Sequence, residues 1–201
     1  MDFKGKTIWI TGASSGIGRA VALEIAKSKT HLILSSRNIG NLVQVKAEAE
    51  LLGSTVEILP FDNADIDDVN KAAKNVLDRG IKIDCLYQFA GISQRSLTAD
   101  TSLDVDRRIF EVNFFGTIAL TKAVLPSMIK NGGGHLAVTS SIVGKFGMPY
   151  RSAYSASKHA LHGFYESLQS ENAKFNIHTS VIIPGRISTN ISKYALIKDG
   201  K

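Results

Sequence analysis

Six short runs of apolar and β-branched residues punctuate the chain: TIWIT from Thr7, HLILSS from His31, TVEILP from Thr55, IDCLYQF from Ile83, HLAVTSS from His135, and the stretch from Ile177 to Ile183. Each has the length of a strand. Between them lie longer stretches in which apolar residues recur every three or four positions, the signature of helices with one buried face. Val21 and Ile25 mark the first, in AVALEIAKS. Asn38 is placed to cap a second through NLVQVKAEAELL, with Gly53 to end it. Asp65 starts a third, whose face is Ile66, Val69, Ala73 and Val76. A long helix is predicted from Asp104 to Ile129, with Pro126 expected to bend or close it, and a further helix covers AYSASKHALHGFYESL. Strands alternating with helices of this length predict a parallel sheet covered on both faces.

The ends of the strands carry the chemistry. Thr11 closes the first strand and runs into Gly12, Ala13, Ser14, Ser15, Gly16, Ile17 and Gly18, after which a helix begins. Glycines let the backbone turn sharply and approach a ligand, and the free amide groups and dipole of the helix attract a phosphate. Arg37 follows the second strand, where dinucleotide sites carry either an acid for the ribose hydroxyls or an arginine for a 2′-phosphate. An arginine without the acid favours NADPH over NADH. Asp62 and Asn63, after the third strand, are expected to face the adenine, and Ala90 and Gly91 end the fourth.

Tyr154 and Lys158 stand four apart on a predicted helix, so their side chains leave one face. Taken alone the pair reads equally as an ordinary amphipathic pair or as a tuned acid. In the second reading the ammonium draws the phenol pKa down from about 10 and makes it a usable acid or base. Ser141, at the end of the fifth strand, offers a hydroxyl that can donate to a carbonyl oxygen. Asn113, in the long middle helix, reads by itself as a solvent-facing or capping residue.

Composition narrows the partners. The chain has 201 residues, 44% of them apolar, and a net charge of +6 with the charges scattered. No run of lysine and arginine with interleaved aromatics occurs, which argues against nucleic acid. Cys85 is the single cysteine, inside an apolar run, so a disulfide framework is excluded and a buried thiol in a reducing compartment is expected. The five histidines are not grouped at metal spacings. The amino terminus shows no hydrophobic core of signal-peptide length, and no uninterrupted apolar stretch reads as long enough to span a bilayer, so a cytoplasmic chain is expected.

TGASSGIG at Thr11 to Gly18, Asn113, Ser141, and Tyr154 with Lys158 together resemble the short-chain dehydrogenase/reductase family in its compact single-domain branch. The resemblance covers almost the entire chain, and FGMPYRSAYSASKHAL with AGISQRS is most similar to the dehydrogenase/reductase member 7 group. It implies Tyr154 as proton donor to a carbonyl, Lys158 as the residue that lowers its pKa and holds the nicotinamide ribose, Ser141 as polariser, and Asn113 as the anchor of a relay water. Pro184, Gly185 and Thr189 resemble the turn that contacts the nicotinamide amide. The chain departs from the family at Gln88 and Phe89, where an Asn-Asn pair is usual, while Gly91 keeps the close backbone approach. It also stops at Lys201, where relatives continue with a helical lid, another helix and a seventh strand, so a truncated or incompletely represented chain is expected.

The sequence thus predicts one α/β domain over residues 1–201, a doubly wound parallel sheet in the order 3-2-1-4-5-6 without its seventh strand. Expected with it are NADP(H) in preference to NAD(H), no metal, a small carbonyl or alcohol substrate, and a homodimer or homotetramer. Phe114, Phe115, Phe164 and Tyr165 serve either that interface or the core. A regulator that binds the cofactor without turnover is the rival reading; an epimerase or dehydratase, which uses the same tyrosine and lysine, needs a larger substrate domain.

Overall fold

The computed structural model describes residues 2–200. Six strands, β1 (Thr7–Thr11), β2 (His31–Ser35), β3 (Thr55–Ile58), β4 (Cys85–Gln88), β5 (Gly134–Thr139) and β6 (Ile177–Ile182), form one sheet in the order β3-β2-β1-β4-β5-β6. Every pairing is parallel. In register, Thr11 lies between Ser35 and Gln88, so β1, β2 and β4 end at one level and their following loops open on a common edge. The sheet order reverses at β1, where β2 goes to one side and β4 to the other, and that reversal opens a crevice at the carboxyl ends.

Alternate side chains of each strand enter different cores. Ile8, Ile10, Leu32 and Leu34 pack under α1 (Gly16–Ala26) and α2 (Ile39–Leu51), against Ala22, Ile25, Leu42 and Val45. Trp9, Ile33, Leu86 and Leu136 pack under α3 (Ile66–Asp78), α5 (Gly116–Lys130) and α6 (Ser152–Asn172), against Val69, Val76, Leu120, Val124 and Leu161. The predicted caps are present: Asn38 accepts from the Asn41 amide at the start of α2, and Asp65 accepts from the Asp68 amide at the start of α3. Each satisfies a helix donor that would otherwise lack a partner.

The long middle helix is interrupted where a continuous one was predicted. It is α4 (Leu103–Phe110), a wider π-turn over Glu111–Phe115, and then α5. The π-turn brings Asn113 to the inside, fully buried, rather than to solvent. The helix ends at Lys130, one residue from its predicted end and one turn past Pro126, with Val124 and Met128 on either side of the proline buried in the core. The whole span Leu103–Lys130 is also long and apolar enough, by length and composition, to cross a membrane, contrary to the expectation that no stretch was. Here Leu120, Val124 and Met128 are buried against the sheet and its helices.

At the outer edge, among the described residues, β6 pairs only with β5. The carbonyls of Asn176 and Ile182 accept from Gly134 and Ser140 of the β5 segment, so alternate residues turn their backbone groups toward β5 and those between turn outward. Two of the outward groups are taken by Gln169 of α6: its Nε2 donates to the Ile177 carbonyl at 3.3 Å, and its Oε1 accepts from the Thr179 amide at 2.5 Å.

Candidate active site

The glycine turn after β1 is built by steric necessity. Gly12 has φ +66°, and a Cβ there would lie 2.6 Å from the Ala90 nitrogen and the Phe89 carbonyl carbon. A Cβ on Gly18 would run into the Gly12 carbonyl, and one on Gly16 (φ +55°) would meet the Thr189 side chain at 3.3 Å. The turn is therefore held against the loop after β4 and the segment after β6. Ser15, the residue before α1, makes no side-chain cap to the helix, which leaves the amides of the first turn for a ligand.

These loops enclose a cleft of ≈ 540 Å³, a volume within the range of cofactor sites. Gly12, Ser14, Ser15, Gly16, Ile17 and Gly18 form its floor, Arg37 with Asp62 and Asn63 one end, and Ala90 and Gly91 the middle. Ser141, Tyr154 and Lys158 stand at the other end, with Pro184, Gly185 and Thr189 above. Two predicted residues do not line it. Thr11 is buried below the turn with its hydroxyl unpartnered, because the strand alternation puts it on the face that carries Trp9. Asn113 lies behind the cleft: its Oδ1 accepts from the Ile92 amide at 2.8 Å, and its Nδ2 donates to the Ile92 carbonyl at 3.0 Å and to Ser157 Oγ at 3.1 Å. Its amide thus pins the loop beside Gly91, where a Cβ would touch Asn113 Oδ1 at 3.3 Å.

Ser36 and Asn41, not singled out by the sequence, also line the cleft, as does Phe89 of the departing Gln88-Phe89 pair; for Ser36 adjacency to Arg37 was the available signal. Ser140 lines it too, with no local signal in the sequence. The Ser140 hydroxyl, buried beside Ser141, donates to the Lys158 carbonyl at 3.1 Å and lies 2.9 Å from His162 Nε2, tying the turn after β5 to α6. Burial, aided by the charge of Lys145, holds the His162 imidazole below its ordinary value.

The electrostatics of Tyr154 and Lys158 correct the expectation. Lys158 is buried and its Nζ donates to the Thr139 carbonyl at 2.7 Å, 5.8 Å from the centroid of the Tyr154 ring. Burial without a counter-charge lowers its pKa to about 8. Lys158 is not among the groups that draw Tyr154 down. Burial raises the phenol above its ordinary value, and the Ser141 hydroxyl and the Arg151 guanidinium pull it partly back.

Gln88 has its own buried partners. Its Nε2 donates to Thr121 Oγ1 at 2.7 Å and to Tyr165 Oη at 2.8 Å, and those two hydroxyls lie 2.7 Å apart. The glutamine thus ties β4 to α5 and α6, one strand-end below the cleft. Tyr165 is fully buried in this network, so it belongs to the core rather than to an interface, whereas Phe115 is exposed. Replacing Tyr165 by Phe removes one acceptor from a buried amide and should cost about 1–2 kcal/mol in urea unfolding. A variant as stable as the parent would show the triangle to be energetically idle.

A parallel sheet with a glycine-lined cleft at its order reversal, and a serine, tyrosine and lysine at one end, defines a dinucleotide-binding α/β protein. The profile of the short chain dehydrogenases matches residues 6–199. The chain belongs to the short-chain dehydrogenase/reductase family. The Xenopus laevis dehydrogenase/reductase SDR family member 7B is 43% identical over 197 residues, covering 95% of this chain and 61% of that protein. The human dehydrogenase/reductase SDR family member 7 is 42% identical over 194 residues, covering 94% and 57%. This chain spans about six-tenths of the length of these relatives. A short chain dehydrogenase/reductase from Burkholderia phymatum, in complex with NAD, superimposes with a TM-score of 0.90 at 28% identity, over 96% of this chain and 70% of that one. A putative NAD(P) dependent gluconate 5-dehydrogenase from Beutenbergia cavernae with bound NADP does so with a TM-score of 0.90 at 29% identity, over 96% and 77%.

Proposed function

We propose that this chain is an NADP(H)-dependent oxidoreductase that interconverts a small ketone or aldehyde with its alcohol. The observation that carries the reading is the convergence of the Ser141 and Tyr154 hydroxyls at one end of a cleft floored by Gly12, Gly16 and Gly18. The cradle fits a dinucleotide: the three glycines leave no side chain over the turn, and the first amides of α1 lie open to a pyrophosphate. A bound nicotinamide dinucleotide would supply or accept the hydride. Ser141 donates a hydrogen bond to the substrate oxygen, and Tyr154 gives that oxygen its proton in reduction and removes it in oxidation. Lys158, with its ammonium beside Gly91, holds the ribose end, and Asn113 keeps the Gly91–Ile92 backbone in place.

Arg37 supports NADP(H) over NAD(H). It lies at the adenosine end of the cleft with its side chain 59% exposed, and Nη1 is 3.8 Å from Asp62 Oδ2, which is also reached by Arg108 at 3.2 Å. Asp62 is thus shared by two cations, and Arg37 keeps donors free for a 2′-phosphate. Parallel titrations followed by Trp9 fluorescence or calorimetry should give NADPH at least tenfold tighter binding than NADH, about 1.4 kcal/mol. Arg37→Ala should erase most of that difference while leaving NADH binding nearly unchanged. Equal affinities in the parent protein would overturn the preference. A cytoplasmic homo-oligomer belongs to the same proposal, supported by the lone buried thiol of Cys85 and by exposed Phe115 on the α5 side of the π-turn.

A further inference from the structure

One cation beside the tyrosine has no role in the reading above. Arg151 immediately precedes α6, and its carbonyl accepts from the Ser155 amide at 2.7 Å. Tyr154 follows three positions later, in the first turn of α6. The Arg151 guanidinium carbon lies 6.0 Å from the centroid of the Tyr154 ring, as near as the Lys158 ammonium at 5.8 Å.

The guanidinium is fixed by the loop after β4. Its Nη1 donates to Ser93 Oγ, and Ser93 is buried in the loop after β4. The next residue, Gln94, is fully buried and locks that loop to the start of α6: its Oε1 accepts from the Ala153 amide at 3.0 Å, and its Nε2 donates to Ser152 Oγ at 3.2 Å. Arg151 is therefore held in place, half-buried, by a neutral hydroxyl. Among the described residues no carboxylate forms an ion pair with it, whereas Arg19, Arg37, Arg79, Arg107 and Arg108 each have one. A partly desolvated cation is ordinarily paired. This one is left uncompensated next to a phenol, while Lys158 is turned to the Thr139 carbonyl.

We infer that Arg151 is a positioning residue that acts through Tyr154, its anchored guanidinium stabilising the phenolate of the proton donor from just ahead of α6. The inference rests on Tyr154 being that donor. The other groups facing the phenol are the Ser141 hydroxyl from the turn after β5 and Lys158 from its own helix. Arg95, from the loop after β4, faces Arg151, and Tyr194 lines the same cleft from beyond β6. None of these is a carboxylate, so nothing in the set neutralises the arginine. Its charge opposes the upward push of burial on Tyr154.

The sign is fixed. A cation favours the phenolate, so its removal raises the Tyr154 pKa; the acid limb of alcohol oxidation and the alkaline limb of carbonyl reduction both move to higher pH. Over about 6 Å in a partly solvated site the displacement is on the order of one pH unit. The test is a direct titration of Tyr154, by tyrosinate absorbance of each 201-residue protein minus its Y154F counterpart, followed by pH profiles of turnover with NADPH. Arg151→Gln should raise the Tyr154 pKa by about one unit, and Arg151→Lys should restore most of it. Ser93→Ala, which keeps the charge but frees it, should shift it less and in the same direction. An unmoved titration in Arg151→Gln, or an equal shift in Arg151→Lys, overturns the inference and leaves the arginine a structural cap, which lowers melting temperature without moving the pKa. The absorbance titration needs no turnover, so Y154F that still reduces substrate would remove the donor assignment and be seen separately.

Discussion

Tyr154→Phe will lose about a thousandfold or more in turnover while binding NADPH as the parent does. The phenyl ring keeps the packing of the tyrosine on the face of α6, and the change removes only the hydroxyl, whose partner is Ser141. Lys158 stays on the Thr139 carbonyl and Gly12, Gly16 and Gly18 are untouched, so the cofactor cradle survives. The measurement is single-turnover oxidation of NADPH with a broad set of ketones and aldehydes, alongside a binding titration. Parent-like turnover by the variant would end the assignment of Tyr154 as donor. Lost turnover together with lost binding would mean that the phenol holds the cofactor rather than the proton.

The second large effect lies outside the chemistry. Gly116 opens α5 with an ordinary helical backbone, φ −62°, where alanine is normally better by about 1 kcal/mol. Here a Cβ would be driven into the backbone carbonyl of Asn63, whose Nδ2 donates to the Val112 carbonyl at 3.2 Å. Backbone cannot step aside as a side chain can, so the sign reverses. Gly116→Ala should cost about 3 kcal/mol in denaturant unfolding and weaken NADPH binding, because Asn63 lines the adenosine end of the cleft. Gly163→Ala on α6, where a Cβ meets nothing within 4 Å, is the control and should be neutral or stabilising. Equal behaviour of the two variants would show that the α5–Asn63 contact is loose enough to yield.

Why the sequence foretold the sheet and not the π-turn follows from what each depends on. The strands are continuous apolar runs, and the helices between them carry both a three-four apolar period and, at Asn38 and Asp65, the caps that start them. The glycine turn was legible because positive φ and close approach each admit little else. Asn113 was not, since a single buried amide looks like a surface one until the loop it pins is in view. Nothing local marks Glu111–Phe115 as a wider turn; it exists because Gly116 meets Asn63 and Asn113 meets Ile92, contacts between residues distant in the chain. The Tyr154–Lys158 spacing was read correctly as one face, yet the sense of the pKa effect was not. It depends on burial and on the Thr139 carbonyl, neither of which is written in the interval between the two residues.

The amide of Gln169 has a kinetic consequence. By bonding to Ile177 and Thr179 it imitates the backbone of a neighbouring strand over the first half of β6. An incoming strand, from any source, can zip from that end only after one rotamer of α6 has swung away and two hydrogen bonds have broken. Growth of the sheet therefore starts more easily at Val181 and proceeds backward, so the direction in which this edge can be extended is set by a single side chain on the helix beside it.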